Sequence, residues 1–262
     1  MSLKEEIIKY WNTQPCNIKY GKSPHGTIEF FNEITEKHYY VEPHIPAFAG
    51  FKDVEGKEIL EVGCGIGTDA IEFCKGGAIY TGTDISDVSL DITRNRMNTF
   101  GFSDVTLKNI DLSEVPSEWR EKFDLVYSWG VLHHDPNIET IISNVYELLK
   151  PGGTFKFMVY AKNSWKNAMI RGGFDQYEAQ SNCPWAQTFT KQEILEILFP
   201  ENLPKTSWKD VEISQDHCFM YNVDEYKKNN YVLEKWFEAM SPEMRLVIKK
   251  ELGWHMLVSC TK

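Results

Sequence analysis

The sequence predicts an α/β fold, a doubly wound and mainly parallel seven-stranded sheet with helices on both faces. Three features lead there. From Glu58 to Tyr160, short apolar runs of strand length alternate with amphipathic runs, the rhythm of successive βαβ units. Two further apolar runs, Val211–Tyr221 and Leu252–Cys260, supply a sixth and a seventh strand. Residues 1–50 read as an N-terminal helical cap or lid, and residues 51–262 as the main domain, with insertions at 161–190 and 222–251.

In the cap, Ser2 with Glu5 forms a capping-box pattern for a helix over Leu3–Trp11, which Pro15 terminates. A second helix spans Thr27–Tyr39, and Pro43 and Pro46 then favour extended backbone ahead of them. Glu58–Val62 and Ile79–Thr83 are apolar strands around a helix from Asp69 to Lys75. Ser86 or Asp87 caps Val88–Phe100, and Asp104–Asn109 is the third strand. Phe123–Ser128 is a fourth, central strand, followed by a helix over Asn137–Leu149. The turn Lys150-Pro151-Gly152-Gly153 reverses the chain into a fifth strand, Thr154–Tyr160. Residues 161–190 lose the rhythm and read as an irregular loop, after which Thr190 and Glu193 cap a helix over Gln192–Phe199.

A chain of 262 residues with 42% hydrophobic and 25% charged residues is an ordinary globule with a sizeable core. Its net charge of −10 argues against a nucleic-acid partner. No apolar run approaches the ~20 residues of a membrane span, and the charged N-terminus lacks the apolar centre of a signal peptide. Six scattered cysteines, with no C-x-x-C pair, fit a reducing, cytoplasmic setting. No histidine forms a short-spaced metal pair, so no metal is expected. A monomer or a homodimer is expected.

The densest chemical signal is Lys57–Asp84. A strand runs into Gly63, Gly65 and Gly67, then into a helix, so a ligand can lie directly against bare main chain. Asp84 closes the second strand, where a carboxylate can accept both hydroxyls of a ribose. Rossmann dinucleotide sites share this layout, but Thr68 stands where their third glycine would be.

Glu61–Gly67 matches E-x-G-x-G-x-G and resembles motif I of the class I, Rossmann-like S-adenosylmethionine-dependent methyltransferases of the small-molecule type. The segments D-L-V-x-S-x-x-V-L-H-H, from Asp124, and L-L-K-P-G-G-x-F, from Leu148, resemble later motifs of the same family. The resemblance covers about residues 55–160. It implies S-adenosyl-L-methionine as cofactor and S-adenosyl-L-homocysteine as product. It also implies a cofactor site of Glu61, Gly63, Cys64, Gly65 and Gly67, of Asp84 with Ile85 on the ribose, and of Asp111 with Leu112 on the adenine. Ser128 and Trp129 flank the methionine part, and the cap brings Tyr40 over it.

Methyl transfer to an oxygen needs a general base, and the doubled His133–His134 beside the fourth strand is best placed for it. The two rings point different ways, so one faces the cofactor, preferably His134, with Asp135 to orient it. His44, Arg171, Gln176 and His217 are candidates to bind substrate. The expected reaction is methyl transfer to an oxygen of a small polar molecule, such as a sugar, surface-glycan or secondary-metabolite intermediate. Transfer to nitrogen, carbon or sulfur of a small metabolite, or silent cofactor binding, are the alternatives.

Overall fold

Alternation along the strands decides which way each helix packs. In β1 (Glu58–Val62), Leu60 and Val62 face one side of the sheet while Ile59 and Glu61 face the other. The computed structural model describes residues 1–174, 183–200 and 206–262. β1 pairs in parallel with β2 (Ile79–Asp84) on one side and β4 (Phe123–Trp129) on the other. β3 (Thr106–Asn109) lies outside β2, and β5 (Leu149–Tyr160) lies beside β4. β7 (His255–Thr261) and β6 (Lys209–Asp216) complete a seven-stranded sheet of order β3-β2-β1-β4-β5-β7-β6, with β7 antiparallel to both neighbours.

On one face Leu60, Val126, Phe155 and Phe157 pack against α6 (Ile138–Leu148) and α8 (Lys191–Leu198), burying Val145 and Ile194. On the other face Ile59, Leu125 and Tyr127 pack against α4 (Thr68–Lys75) and α5 (Asp87–Thr99), through Phe73 and Met97. Leu, Ile and Phe side chains buried in this way contribute about 1.5–3 kcal/mol each. The two faces are therefore held by ordinary apolar packing.

The cap is helical throughout. α1 (Leu3–Thr13) carries the Ser2–Glu5 capping box. α2 (Ile28–Val41) runs two residues beyond Tyr39, and α3 (Ile45–Ala49) holds Pro46 in its first turn. The expected extended backbone before Pro46 is replaced by helix, because a proline in the first turn forfeits no internal hydrogen bond. Two other expectations are corrected. Residues 161–190 contain α7 (Trp165–Arg171), capped by the Ser164 hydroxyl accepting the Asn167 N–H. β6 stops at Asp216, and His217 leaves the strand at φ 63°. The 222–251 insertion forms α9 (Val223–Tyr226), α10 (Lys235–Glu238) and α11 (Pro242–Leu252).

Two buried charges tie the cap to the domain. Arg96 of α5 donates to Thr68 Oγ1 at 2.9 Å, to the Phe31 carbonyl at 3.2 Å and to the Thr35 hydroxyl. Asp69 of α4 accepts from Tyr39 at 2.9 Å and Tyr127 at 2.8 Å, and lies 3.4 Å from His38 Nε2. Burial pulls the His38 pKa down, but Asp69 and Glu42 outweigh it and raise the imidazole above its ordinary value. Burial likewise pushes Asp69 up, but the His38 hydrogen bond and charge leave it below the ordinary carboxylate range. The pair therefore contributes fully between the ordinary values, about pH 4 to 6.5. Its contribution is lost as pH rises through the raised His38 pKa or falls through the lowered Asp69 pKa. Asp69→Asn leaves the buried imidazolium with only Glu42, 3.6 Å away, as counter-charge and should cost about 3 kcal/mol in urea unfolding at pH 6, with a smaller difference at alkaline pH.

Candidate active site

The turn between β1 and α4 is fixed from outside. The Gly63 and Cys64 N–H groups both donate to the Thr83 carbonyl, at 2.8 and 2.9 Å. The Thr93 hydroxyl donates to the Gly65 carbonyl at 2.7 Å. All three glycines have positive φ, of 72°, 53° and 74°. A Cβ on Gly63 would sit 2.3 Å from Val131, and one on Gly67 2.9 Å from Thr93, while one on Gly65 would meet nothing within 4 Å. The main chain at Gly65 thus fronts open space, and α4 begins behind it with no side-chain cap on its first N–H groups.

That space is a cavity of about 830 Å³ at the carboxyl ends of β1, β2 and β4. Asp84 stands at its wall, with Oδ2 accepting the Gly65 N–H at 2.9 Å and Oδ1 accepting the Ser86 N–H at 2.8 Å. Burial raises the Asp84 pKa, and the N–H groups of Ser86, Gly65 and Ile85 pull against it. Each oxygen keeps a further lone pair for a hydroxyl. Six carboxylates line the cavity (Glu42, Glu61, Asp69, Asp84, Asp111 and Asp135), against Lys19 and Lys227. This balance repels a pyrophosphate and suits a nucleoside carrying positive charge. Glu61 is buried, accepts the Tyr80 hydroxyl at 2.5 Å, and has its pKa pushed well up by burial and then by Asp69.

Cys64, Ile85, Leu112 and Trp129 also line the cavity. Asp111 Oδ2 pairs with Lys4 at 2.6 Å, so the N-terminal helix occupies the carboxylate expected at the adenine end. The Trp129 indole N–H donates to Glu42 Oε2 at 3.1 Å. Ser128 does not reach the cavity: it is fully buried, and its hydroxyl donates to the Val62 carbonyl at 3.1 Å, tying β4 to β1. Gly67 is likewise covered, by Thr93. Tyr40 is turned away and 69% exposed, because α2 continues past it and puts His38 and Glu42 on the inner face instead.

Of the two histidines after β4, His134 lines the cavity, whereas His133 is buried beneath it with its ring 3.7 Å from that of Tyr160. His134 Nδ1 meets the Trp185 carbonyl at 2.9 Å, and Asp135, expected to orient it, instead accepts the Asn137 N–H at 2.7 Å. Burial lowers the His134 pKa to about 4. His44 and His217 stand behind the cavity wall, His44 Nε2 facing His255 Nδ1 at 3.0 Å. Arg171 ends α7 on the exposed surface, away from the cavity. Gln176 lies outside the described residues.

Sequence reasoning missed His255, Asp69 and the wall formed by Trp11, Tyr226 and Tyr231. Tyr20 of the cap and Tyr231 of the insertion meet hydroxyl to hydroxyl at 2.6 Å, a contact across 211 residues that no local pattern encodes. Gly63→Ala must both adopt φ 72° and displace Val131, and should cost about 2–4 kcal/mol in thermal or urea unfolding. Gly65→Ala should cost less than half of that, since its Cβ enters open space.

Comparison with known proteins matches residues 60–155 to a family model described as a methyltransferase domain. The ubiquinone biosynthesis O-methyltransferase of Paracidovorax citrulli (strain AAC00-1) is 25% identical over 154 residues, which are 58% of this chain and 65% of that protein. The sterol 24-C-methyltransferase of Pneumocystis carinii (strain B80) is 31% identical over 172 residues, 63% of this chain and 40% of that protein. The chain thus spans between 40% and 65% of the length of these curated relatives. Among solved structures, Haemonchus contortus phosphoethanolamine N-methyltransferase 2, in complex with S-adenosyl-L-methionine, superposes with a TM-score of 0.65 at 17% identity, over 100% of this chain and 60% of that one. That likeness is one of fold. The family match begins at Leu60, inside the strand that feeds the glycine turn, and ends at Phe155 in β5, so residues 60–155 match a methyltransferase domain within a sheet of the same fold.

Proposed function

We propose that the protein is an enzyme that transfers a methyl group from S-adenosyl-L-methionine to an oxygen of a small polar molecule. When bound, this cofactor supplies a sulfonium methyl group open to in-line displacement. Gly65 offers bare main chain to the nucleoside, Asp84 receives the ribose hydroxyls, and the carboxylate-lined cavity favours the cofactor's positive charge.

The observation that carries the choice of oxygen is the state of His134. A carbonyl can only accept, so Nδ1, facing the Trp185 carbonyl, holds the proton and Nε2 keeps its lone pair. Nε2 is buried with no hydrogen-bond partner among the described residues. Burial lowers its pKa to about 4, so the ring is neutral at physiological pH with its lone pair available, a weaker base than a free imidazole but one in the form that can accept the acceptor's proton. Trp11 packs edge-on against this ring at 5.1 Å, so α1 closes the site over the base and excludes water. Tyr10, Trp11, Tyr160 and Tyr231 offer flat faces beside the carboxylates, a combination that suits a hydroxyl-rich molecule such as a sugar or a glycan or secondary-metabolite intermediate. A second reading, transfer to an amine, is favoured by the excess of carboxylates alone. A reducing cytoplasm suits the scattered cysteines of the sequence.

Asp84→Ala should weaken S-adenosylhomocysteine binding by about 1–3 kcal/mol in calorimetric titration; unchanged affinity would remove Asp84 from the site. His134→Gln should lower methyl transfer from labelled cofactor to a sugar or metabolite pool by about 10²–10⁴-fold with cofactor affinity retained. The unsubstituted enzyme should lose rate as pH falls through about 4, where His134 takes a proton. Full activity in His134→Gln would favour the amine reading, whose acceptor needs no imidazole.

A further inference from the structure

A second constellation lies at the far side of the same cavity from Asp84, where Glu42 and His255 form part of the wall and His217 stands behind them. Glu42 follows α2, His217 follows β6, and His255 opens β7. One carboxylate oxygen of Glu42 and one ring nitrogen of each histidine all lie within 4.8 Å of one another. We infer that Glu42, His217 and His255 form a binding site for one divalent first-row transition ion, such as zinc.

Three observations support it. His217 Nε2 is buried and has no hydrogen-bond partner among the described residues, an arrangement that costs free energy unless something occupies it. Glu42 Oε1 lies 3.5 Å from His255 Nε2. That is long for a hydrogen bond, whereas two donors about 2.1 Å from a shared tetrahedral ion stand about 3.4 Å apart. The outer partners are already in place. Trp129 donates to Glu42 Oε2 at 3.1 Å, with His38 Nδ1 3.6 Å from that same oxygen, and His44 Nε2 holds His255 Nδ1 at 3.0 Å. Such contacts orient ligands and fix the imidazole tautomer. Two imidazoles and one carboxylate select zinc, iron, cobalt or manganese over calcium and magnesium, and leave positions open for another molecule.

The ligands sit at positions 42, 217 and 255, so no short spacing betrays them, and the proposal reverses the sequence-based expectation of no metal. The ion's part in turnover, which is to hold an acceptor hydroxyl and lower its pKa, rests on the methyl-transfer reading; its binding does not.

The test uses the full chain, stripped with a chelator and titrated calorimetrically with zinc chloride and, separately, with S-adenosylhomocysteine. One zinc ion per chain is expected. Glu42→Gln, His217→Ala and His255→Ala should each abolish it, and His44→Ala should weaken it by about 10–100-fold. Cobalt(II) should give visible absorption bands that Glu42→Gln removes. Should an alanine variant fail to fold by circular dichroism, the near-isosteric Glu42→Gln decides. No zinc binding, or binding that Glu42→Gln leaves unchanged, overturns the site. Product binding without zinc binding overturns this inference alone, whereas zinc binding without product binding supports it and counts against the methyl-transfer reading.

Discussion

The bare main chain at Gly65 is the constraint from which the rest of the site follows. A ligand can lie against it only because neighbouring elements hold the turn from behind. Thr83 takes two of its N–H groups, Thr93 and Arg96 reach the Gly65 and Ile66 carbonyls, and Asp84 takes the Gly65 N–H. Asp84 therefore works twice. It fixes the turn by accepting the Gly65 N–H, holds the Ser86 N–H through its other oxygen, and still faces the cavity, so in the proposed reading one carboxylate sets both the shape of the glycine turn and the position of a ribose. Asp69, in the first turn of α4, continues the arrangement by drawing the cap's His38 and Tyr39 and the sheet's Tyr127 onto a single buried charge.

That hub explains how distant segments come to share one cavity. α2 is pinned by His38, which brings Glu42 one turn further along the same face to Trp129 at the end of β4. The antiparallel pair β6–β7 sets His255 opposite Asp216, so His217 and His255 arrive beside Glu42 from the other edge of the sheet. The insertion after β6 returns over the opening, where Tyr231 meets Tyr20. The Gly65–Asp84 end of the cavity is thus built by the parallel half of the sheet, and the opposite end by the cap and the antiparallel half; in the proposed reading these take the nucleoside and the acceptor.

This division also accounts for what the sequence reveals. Local chemistry is legible: the Ser2–Glu5 and Thr190–Glu193 capping boxes and the Gly63–Asp84 unit lie where residue order puts them. Errors arise where tertiary packing overrides local preference. α2 was expected to stop at Tyr39, but burial of Val41 carries it on. With 3.6 residues per turn, that extension turns Tyr40 outward and Glu42 inward. Ser128 reads as a cavity residue from its motif, yet the last inward position of a buried strand is taken up by a bond to Val62. His255 carries no local signal, because its partners lie 38 and more residues away.

The most direct measurement is a crystal structure of the chain grown with S-adenosylhomocysteine. The account predicts both ribose hydroxyls within hydrogen-bond distance of Asp84 and the nucleoside against Gly65. Ligand density elsewhere in the cavity, with Asp84 bonded only to Gly65 and Ser86, would contradict it.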